Sequence, residues 1–156
     1  MIEIVIPGRG QYKLEHLVLD LNGTIALDGE IIEGVEERLQ QLSSMLSISI
    51  ITADTQGNAQ RLEESSQLKI HKIDTGEEGA QKLKLVQQLA GENTVSIGNG
   101  SNDVAMLKEA ALGICVLGQE GAAVEAMSNS DLVVPDINTA LDLLLNPRRL
   151  IASLRR

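Results

Sequence analysis

Leu17-Val18-Leu19-Asp20-Leu21-Asn22-Gly23-Thr24 is the stretch whose reading decides the fold. Three apolar residues lead into Asp20, and the pattern then breaks into a polar, glycine-containing turn. A short apolar run closed by turn residues reads as a buried strand entering a loop. In open parallel sheets, ligands bind beyond the carboxyl ends of the strands. An Asp at such an end serves as a nucleophile, as a metal ligand, or as a cap bonded to the turn backbone. The rest of the chain has to decide among the three.

Outward from that strand, the pattern predicts alternating elements. Ile2, Ile4 and Ile6 alternate with Glu3 and Val5, which predicts a half-buried strand over 2–6, and Pro7-Gly8-Arg9-Gly10 is a turn. Asp28-Gly29-Glu30 between Ile25 and Ile31 signals a short hairpin. Val35, Leu39, Leu42 and Met45 share one face of a helix over 35–45. A strand over 46–51 ends at Thr52-Ala53-Asp54-Thr55, and a helix is expected over 56–65. Next come a strand over 68–73, a helix over 77–89 carrying Lys82 and Lys84, and a strand over 94–97. Gly98-Asn99-Gly100-Ser101-Asn102-Asp103 closes that strand. A helix over 103–110, a strand over 112–117, a short helix over 121–127, a strand over 132–134 and a helix over 137–145 complete the pattern. Strands alternating with helices predict an α/β protein with a doubly wound, mostly parallel sheet covered on both faces. At 156 residues, one domain over 1–156 is expected.

Composition narrows the partners. The chain has no Trp, no Phe and a single Tyr, Tyr12, so its core is aliphatic. Flat bases are held by stacking on aromatic rings, and polyanions by positive charge. With a net charge of −9, nucleic acid is not an expected partner, and a phosphorylated substrate needs a cation beside it. Cys115 is the only cysteine, so there is no internal disulfide; it sits in the apolar run Leu112-Gly113-Ile114-Cys115-Val116 and reads as core. That usage fits a reducing cytoplasm. Met1 to Ile6 carries Glu3 and no basic leader, so no secretory signal is expected, and no apolar run approaches the roughly 20 residues that span a membrane. The basic tail from Arg148 to Arg156 reads as a terminal helix with cations near its carboxyl end, or as a membrane or partner contact.

Four strand ends therefore carry polar groups toward one crevice: Asp20, Thr52, the approach to Lys82, and Asn99 to Asp103. Phosphoryl transfer needs an oxygen nucleophile, donors for the phosphoryl oxygens, a fixed positive charge and a divalent metal. Asp20 can attack phosphorus and form an acyl phosphate. The Thr52 hydroxyl and the Ala53 amide can donate, and Lys82 can neutralise charge. Asp20 and Asp103, with oxygens of Asn22 and Asn99, offer the hard ligands Mg²⁺ prefers. Each part alone has a plainer reading. Thr52 is a helix N-cap by position, Lys82 or Lys84 a surface cation, and Gly98-Asn99-Gly100 a tight turn. His16 and His71 read as structural.

Together and in this order, the parts resemble the haloacid dehalogenase superfamily of aspartyl-nucleophile phosphohydrolases, over roughly residues 17–144. The motifs stand as Asp20-Leu21-Asn22-Gly23-Thr24, Thr52, Lys82, and Gly98-Asn99-Gly100-Ser101-Asn102-Asp103. Lys82-Leu83-Lys84-Leu85-Val86, the Gly-Asn-Gly-Ser-Asn-Asp loop, Val104-Ala105-Met106-Leu107 and Gly113-Ile114 are similar to the phosphorylation domain of P-type ATPases. That register selects Lys82 over Lys84. The resemblance implies Asp20, Asn22, Thr52 and Lys82 as catalytic residues. It implies Thr52, Ala53, Lys82 and Asn102 as the phosphate site, and Asp20, Asn22, Asn99 and Asp103 as the Mg²⁺ site. It also implies a three-layer Rossmann-like domain with a short flap hairpin, like the small soluble P-type-ATPase-like phosphatases. Thr52 lies 32 positions after Asp20, and Lys82 a further 30. Both intervals are filled by predicted elements, so no cap domain and no nucleotide-binding insert is expected. Such an open site suits a bulky substrate, or cover by a neighbouring copy in a homo-oligomer.

Two positions depart from the family pattern. Asn22 stands where most of these phosphatases have the acid–base Asp, and an amide cannot shuttle a proton. Asn99 stands where the pump-like loop carries Asp, which removes one carboxylate from the metal site. The expectation is a slow Mg²⁺-dependent phosphatase. Its alternative is a phosphate-binding or phosphorylatable regulatory module with little turnover. Response-regulator receivers use a similar Asp, Thr and Lys set, but after an N-terminal acidic pair that this chain lacks. A structural or assembly role has no positive feature beyond the basic tail, and the loop over 25–32 is where substrate specificity is expected to reside.

Overall fold

The computed structural model describes residues 1–53, 62–63 and 68–156. The helix expected over 56–65 lies outside them except for Leu62 and Glu63, which are helical. Among the described residues, six parallel strands form the central sheet: β3 (His16–Asp20), β6 (Ser47–Thr52), β7 (Lys69–Lys72), β8 (Thr94–Gly98), β9 (Leu112–Val116) and β10 (Leu132–Val134). Their spatial order is β10-β9-β8-β3-β6-β7. The chain leaves β3 for β6 and β7 on one side, then returns to β8, β9 and β10 on the other. The reversal lies between β3 and β8, the switch point where doubly wound sheets open a crevice.

Side-chain parity on β3 divides the core. Leu17 and Leu19 lie in the larger core with Leu39 and Leu42 of α1 (Val35–Ser43) and Leu141 and Leu144 of α5 (Ile137–Leu145). Val18 points the other way, against Leu85 and Val86 of α2 (Glu78–Gln88) and Met106 of α3 (Val104–Glu109). Successive side chains on a strand face opposite sides, so Asp20 shares its side with Val18 and looks toward α2. Two further helices are α4 (Val124–Ser128) and α6 (Pro147–Leu154).

Three differences from the sequence pattern have physical causes. The strand over 2–6, β1 (Ile2–Ile6), stands outside the central sheet, paired antiparallel with β2 (Gly10–Leu14), which the pattern did not announce. Only Tyr12 and Leu14 of β2 turn inward, too short an alternation to signal a strand. The helix expected from 103 opens with a 3₁₀ turn over Ser101–Asp103, because the Asp103 carboxylate is bonded back to its own loop. The helix expected from 121 starts at Val124, since Gly121 has φ +75° and cannot be helical. The predicted hairpin is present as β4 (Ala26–Leu27) and β5 (Glu30–Ile31). Asp28 and Gly29 turn it with φ of +50° and +80°, the left-handed pair that suits a two-residue hairpin.

Candidate active site

Asp20 ends the central strand with 8% of its surface exposed. Lys82 Nζ donates to Asp20 Oδ1 at 2.8 Å and to Asp103 Oδ1 at 2.7 Å, a buried cation between two carboxylates. Helical spacing explains how the lysine arrives there. Lys82, Leu85 and Val86 stand at i, i+3 and i+4, so the face that packs on Val18 also delivers Lys82 to the strand end. Lys84 lies on the exposed side of the same helix. Geometry thus separates Lys82 from Lys84.

Asp103 is fully buried and uses both oxygens. Oδ2 accepts from the Asn99 and Gly100 amides, each at 2.9 Å, while Oδ1 takes Lys82. Gly98 is required beneath it, because a Cβ there would lie 2.5 Å from the carboxyl carbon. On the other side of Asp20, the buried Thr24 hydroxyl lies 3.1 Å from Asp20 Oδ2 and 3.4 Å from Asn99 Oδ1. Asn99 is oriented by donating its amide to the Gly121 carbonyl at 3.1 Å.

These groups border a cleft of about 330 Å³. Asp20, Asn22, Thr52, Ala53, Lys82, Asn99 and Asn102 all line it, so seven of the eight expected site residues converge on one space. Asp103, the eighth, stands behind Lys82 and does not line the cleft. Asn22 is exposed at its edge and Thr52 is buried at the end of β6. Asn102 Nδ2 donates to Glu78 Oε2 at 2.6 Å.

Sequence reading missed Thr24, Glu78 and Glu120 as site residues. Thr24 was in the opening stretch, but nothing in the pattern says that its hydroxyl turns back to Asp20. Glu120 follows the carboxyl end of β9, and the strand-end rule extended to a fifth strand would have included it. Glu78 begins α2 one turn before Lys82, and that helical neighbourhood is its only signal.

Burial pushes the Asp20 carboxyl up to about 6, and the neighbouring Asp103 charge adds to this; Lys82 and Thr24 oppose it. Burial alone would lower the Lys82 ammonium, but Asp20 and Asp103 together hold it above the ordinary lysine value. Lys82 is therefore a fixed positive charge, and Asp20 is not so firmly ionised.

The donor set suits a hard cation. Oxygens of Asp20 and Asn99 converge on one Thr24 hydroxyl, whose single proton cannot serve both. Spare acceptor oxygens of this type are what Mg²⁺ takes, together with waters. Among the described residues, no cluster of three or more His, Cys, Asp or Glu side chains is arranged to hold a metal. Protein ligation here would thus come from few carboxylates supplemented by amide and carbonyl oxygens.

An aspartate, a buried lysine and a glycine-bracketed loop thus meet at the switch point of a doubly wound sheet. Residues 36–139 match the family model of haloacid dehalogenase-like hydrolases, and the chain belongs to that family. It is 49% identical over 92 residues to Uncharacterized protein MJ0073 of Methanocaldococcus jannaschii, covering 56% of this chain and 99% of that one. It is 43% identical over 67 residues to Phospholipid-transporting ATPase 11C of Mus musculus, covering 42% of this chain but only 6% of the transporter. The similarity to the phosphorylation domain of P-type ATPases therefore extends to the sequence. The fold matches the crystal structure of 3-deoxy-D-manno-octulosonate 8-phosphate phosphatase from Moraxella catarrhalis with a TM-score of 0.67 at 20% identity, covering 91% of this chain and 94% of that one. Among the described residues, no helix is long and apolar enough to cross a membrane.

Proposed function

We propose that the chain is a Mg²⁺-dependent phosphohydrolase that works through an aspartyl phosphate at Asp20. The observation that carries this reading is the placement of Asp20 and Lys82 at one cleft with an anchored second carboxylate behind. An Asp20 oxygen attacks phosphorus as the bond to the leaving oxygen breaks. Water then attacks the same phosphorus, the bond to Asp20 breaks, and the carboxylate is restored. Thr52, the Ala53 amide and Asn102 would donate to the phosphoryl oxygens and Lys82 would offset their charge, a reading supported by their lining one cleft. Asp20, the Asn22 backbone carbonyl and the Asn99 amide oxygen would hold Mg²⁺, with Asp103 contributing charge from behind Lys82. When bound, that ion supplies Lewis-acid neutralisation of phosphoryl charge. In support, the Moraxella phosphatase of similar fold was solved with magnesium and phosphate ions.

Turnover is proposed to be slow. The Asn22 amide gives no general acid–base help, which is typically worth about 10²–10⁴ in rate. The same substitution favours a second reading, a module that accumulates phosphate on Asp20 and turns it over little. A panel of phosphate esters with Mg²⁺, run beside Asp20→Asn, tests the proposal. Hydrolysis by the unaltered protein and none by Asp20→Asn is expected, whereas equal rates would exclude Asp20 as nucleophile.

A further inference from the structure

The cleft holds a carboxylate that the reaction above leaves unused. Glu120 lines it together with Asp20, Asn22, Thr52 and Lys82. Its loop is fixed on both sides. Before it, Gly118 packs against Gly23, and a Cβ on Gly118 would lie 3.5 Å from the Gly23 carbonyl oxygen. After it, the Gly121 carbonyl accepts from Asn99 Nδ2 at 3.1 Å, and the Ala123 amide donates to the Asn99 carbonyl at 2.8 Å. Glu120 thus lies in a segment that runs beside Gly23 and is bonded to Asn99 through Gly121 and Ala123.

The nucleophile loop makes room for it. Gly23 has φ +78°, and a Cβ there would collide with Glu120 Oε2 and lie 2.9 Å from the Asn99 side-chain nitrogen. The Glu120 carboxylate therefore occupies the space directly beside the residue after Asn22. Glu78, the other glutamate at the cleft, already accepts from Asn102 at 2.6 Å. Glu120 makes no hydrogen bond or ion pair with another described residue, and it is exposed.

We infer that Glu120 is the general base for the second half of the reaction, taking the role that the Asn22 amide cannot fill. The inference rests on the phosphohydrolase reading above. In that half, Glu120 accepts one proton from water as the water oxygen bonds to phosphorus. The phosphorus–oxygen bond to Asp20 breaks, its electron pair returns to the Asp20 carboxylate, and the proton on Glu120 passes to solvent.

The test separates the two halves. p-Nitrophenyl phosphate has a leaving group that departs without a proton, so phosphorylation of Asp20 proceeds unaided and only the second half needs a base. With Mg²⁺, Glu120→Gln is expected to release about one p-nitrophenolate per protein and then turn over roughly 10²-fold more slowly than the unaltered protein. The quenched variant is expected to carry one phosphoryl group by intact mass. Adding Asn22→Asp to Glu120→Gln is expected to restore turnover by supplying a different base. Glu120 is on the surface, so its Gln variant is expected to keep its melting temperature.

Turnover of Glu120→Gln at the unaltered rate overturns the inference. So does joint loss of the burst and of turnover, or an unaltered protein that stays phosphorylated without turning over. Each of these leaves phosphorylation of Asp20 to be judged by the Asp20→Asn control. Equal activity of Asp20→Asn and the unaltered protein overturns the aspartyl-phosphate reading, and this inference falls with it.

Discussion

The Asn22 side chain is exposed and lines the cleft two residues past Asp20, where the reaction proposed above lacks an ionisable group. Replacing it with Asp adds that group without disturbing buried packing. Asn22→Asp is expected to raise kcat at least about tenfold, a fraction of what acid–base help supplies; an unchanged rate would place the bottleneck elsewhere. Asp20 itself makes a stability prediction. Its folded value of about 6 exceeds the roughly 3.9 of an unfolded chain. Between these values the unfolded chain releases a proton that the folded one keeps. Without metal, stability from this group is present at low pH and is lost as pH rises from about 4 to about 6. The melting temperature of the unaltered protein should fall more steeply across that window than that of Asp20→Asn, and parallel curves would contradict the account.

At the scale of elements, α2 carries the sharpest contrast. Lys82 is buried between two carboxylates, whereas Lys84, two residues on, faces solvent. Lys82→Met strands those carboxylates without their cation and is expected to cost about 3–5 kcal/mol. Lys84→Met is expected to stay within about 0.5 kcal/mol. Denaturant unfolding of the two variants measures this, and similar costs would mean the lysines had been assigned to the wrong faces. The residue pattern alone leaves Lys82 and Lys84 both open, and the choice of Lys82 comes from the resemblance, although Lys82 shares a helical face with the apolar Leu85 and Val86. The β1–β2 hairpin and the Glu120 loop are not legible in the sequence. β2 turns only two side chains inward, and a loop's path over its neighbour depends on tertiary bonds, here those between Asn99 and residues 121–123, that leave no local pattern.

For the whole molecule, the −9 charge and the paired carboxylates set the terms on which a phosphate ester can approach. A divalent cation offsets that field, so Mg²⁺ and its substrate are expected to bind with positive cooperativity. Mg²⁺ is expected to raise the melting temperature with the logarithm of its concentration once that exceeds its dissociation constant. Asp20→Asn should lose most of that gain, and an equal gain in both proteins would place the ion outside the cleft. The doubly wound sheet brings Asp20, Thr52, Lys82 and Asn99 from four separate segments to one crevice, and the central claim is that this crevice moves a phosphoryl group onto Asp20. The most direct test is the intact and peptide mass of protein quenched in acid during reaction with p-nitrophenyl phosphate and Mg²⁺. The account predicts one added phosphoryl group, mapped to Asp20 and missing from Asp20→Asn; phosphate found on another residue, or retained in Asp20→Asn, would contradict it.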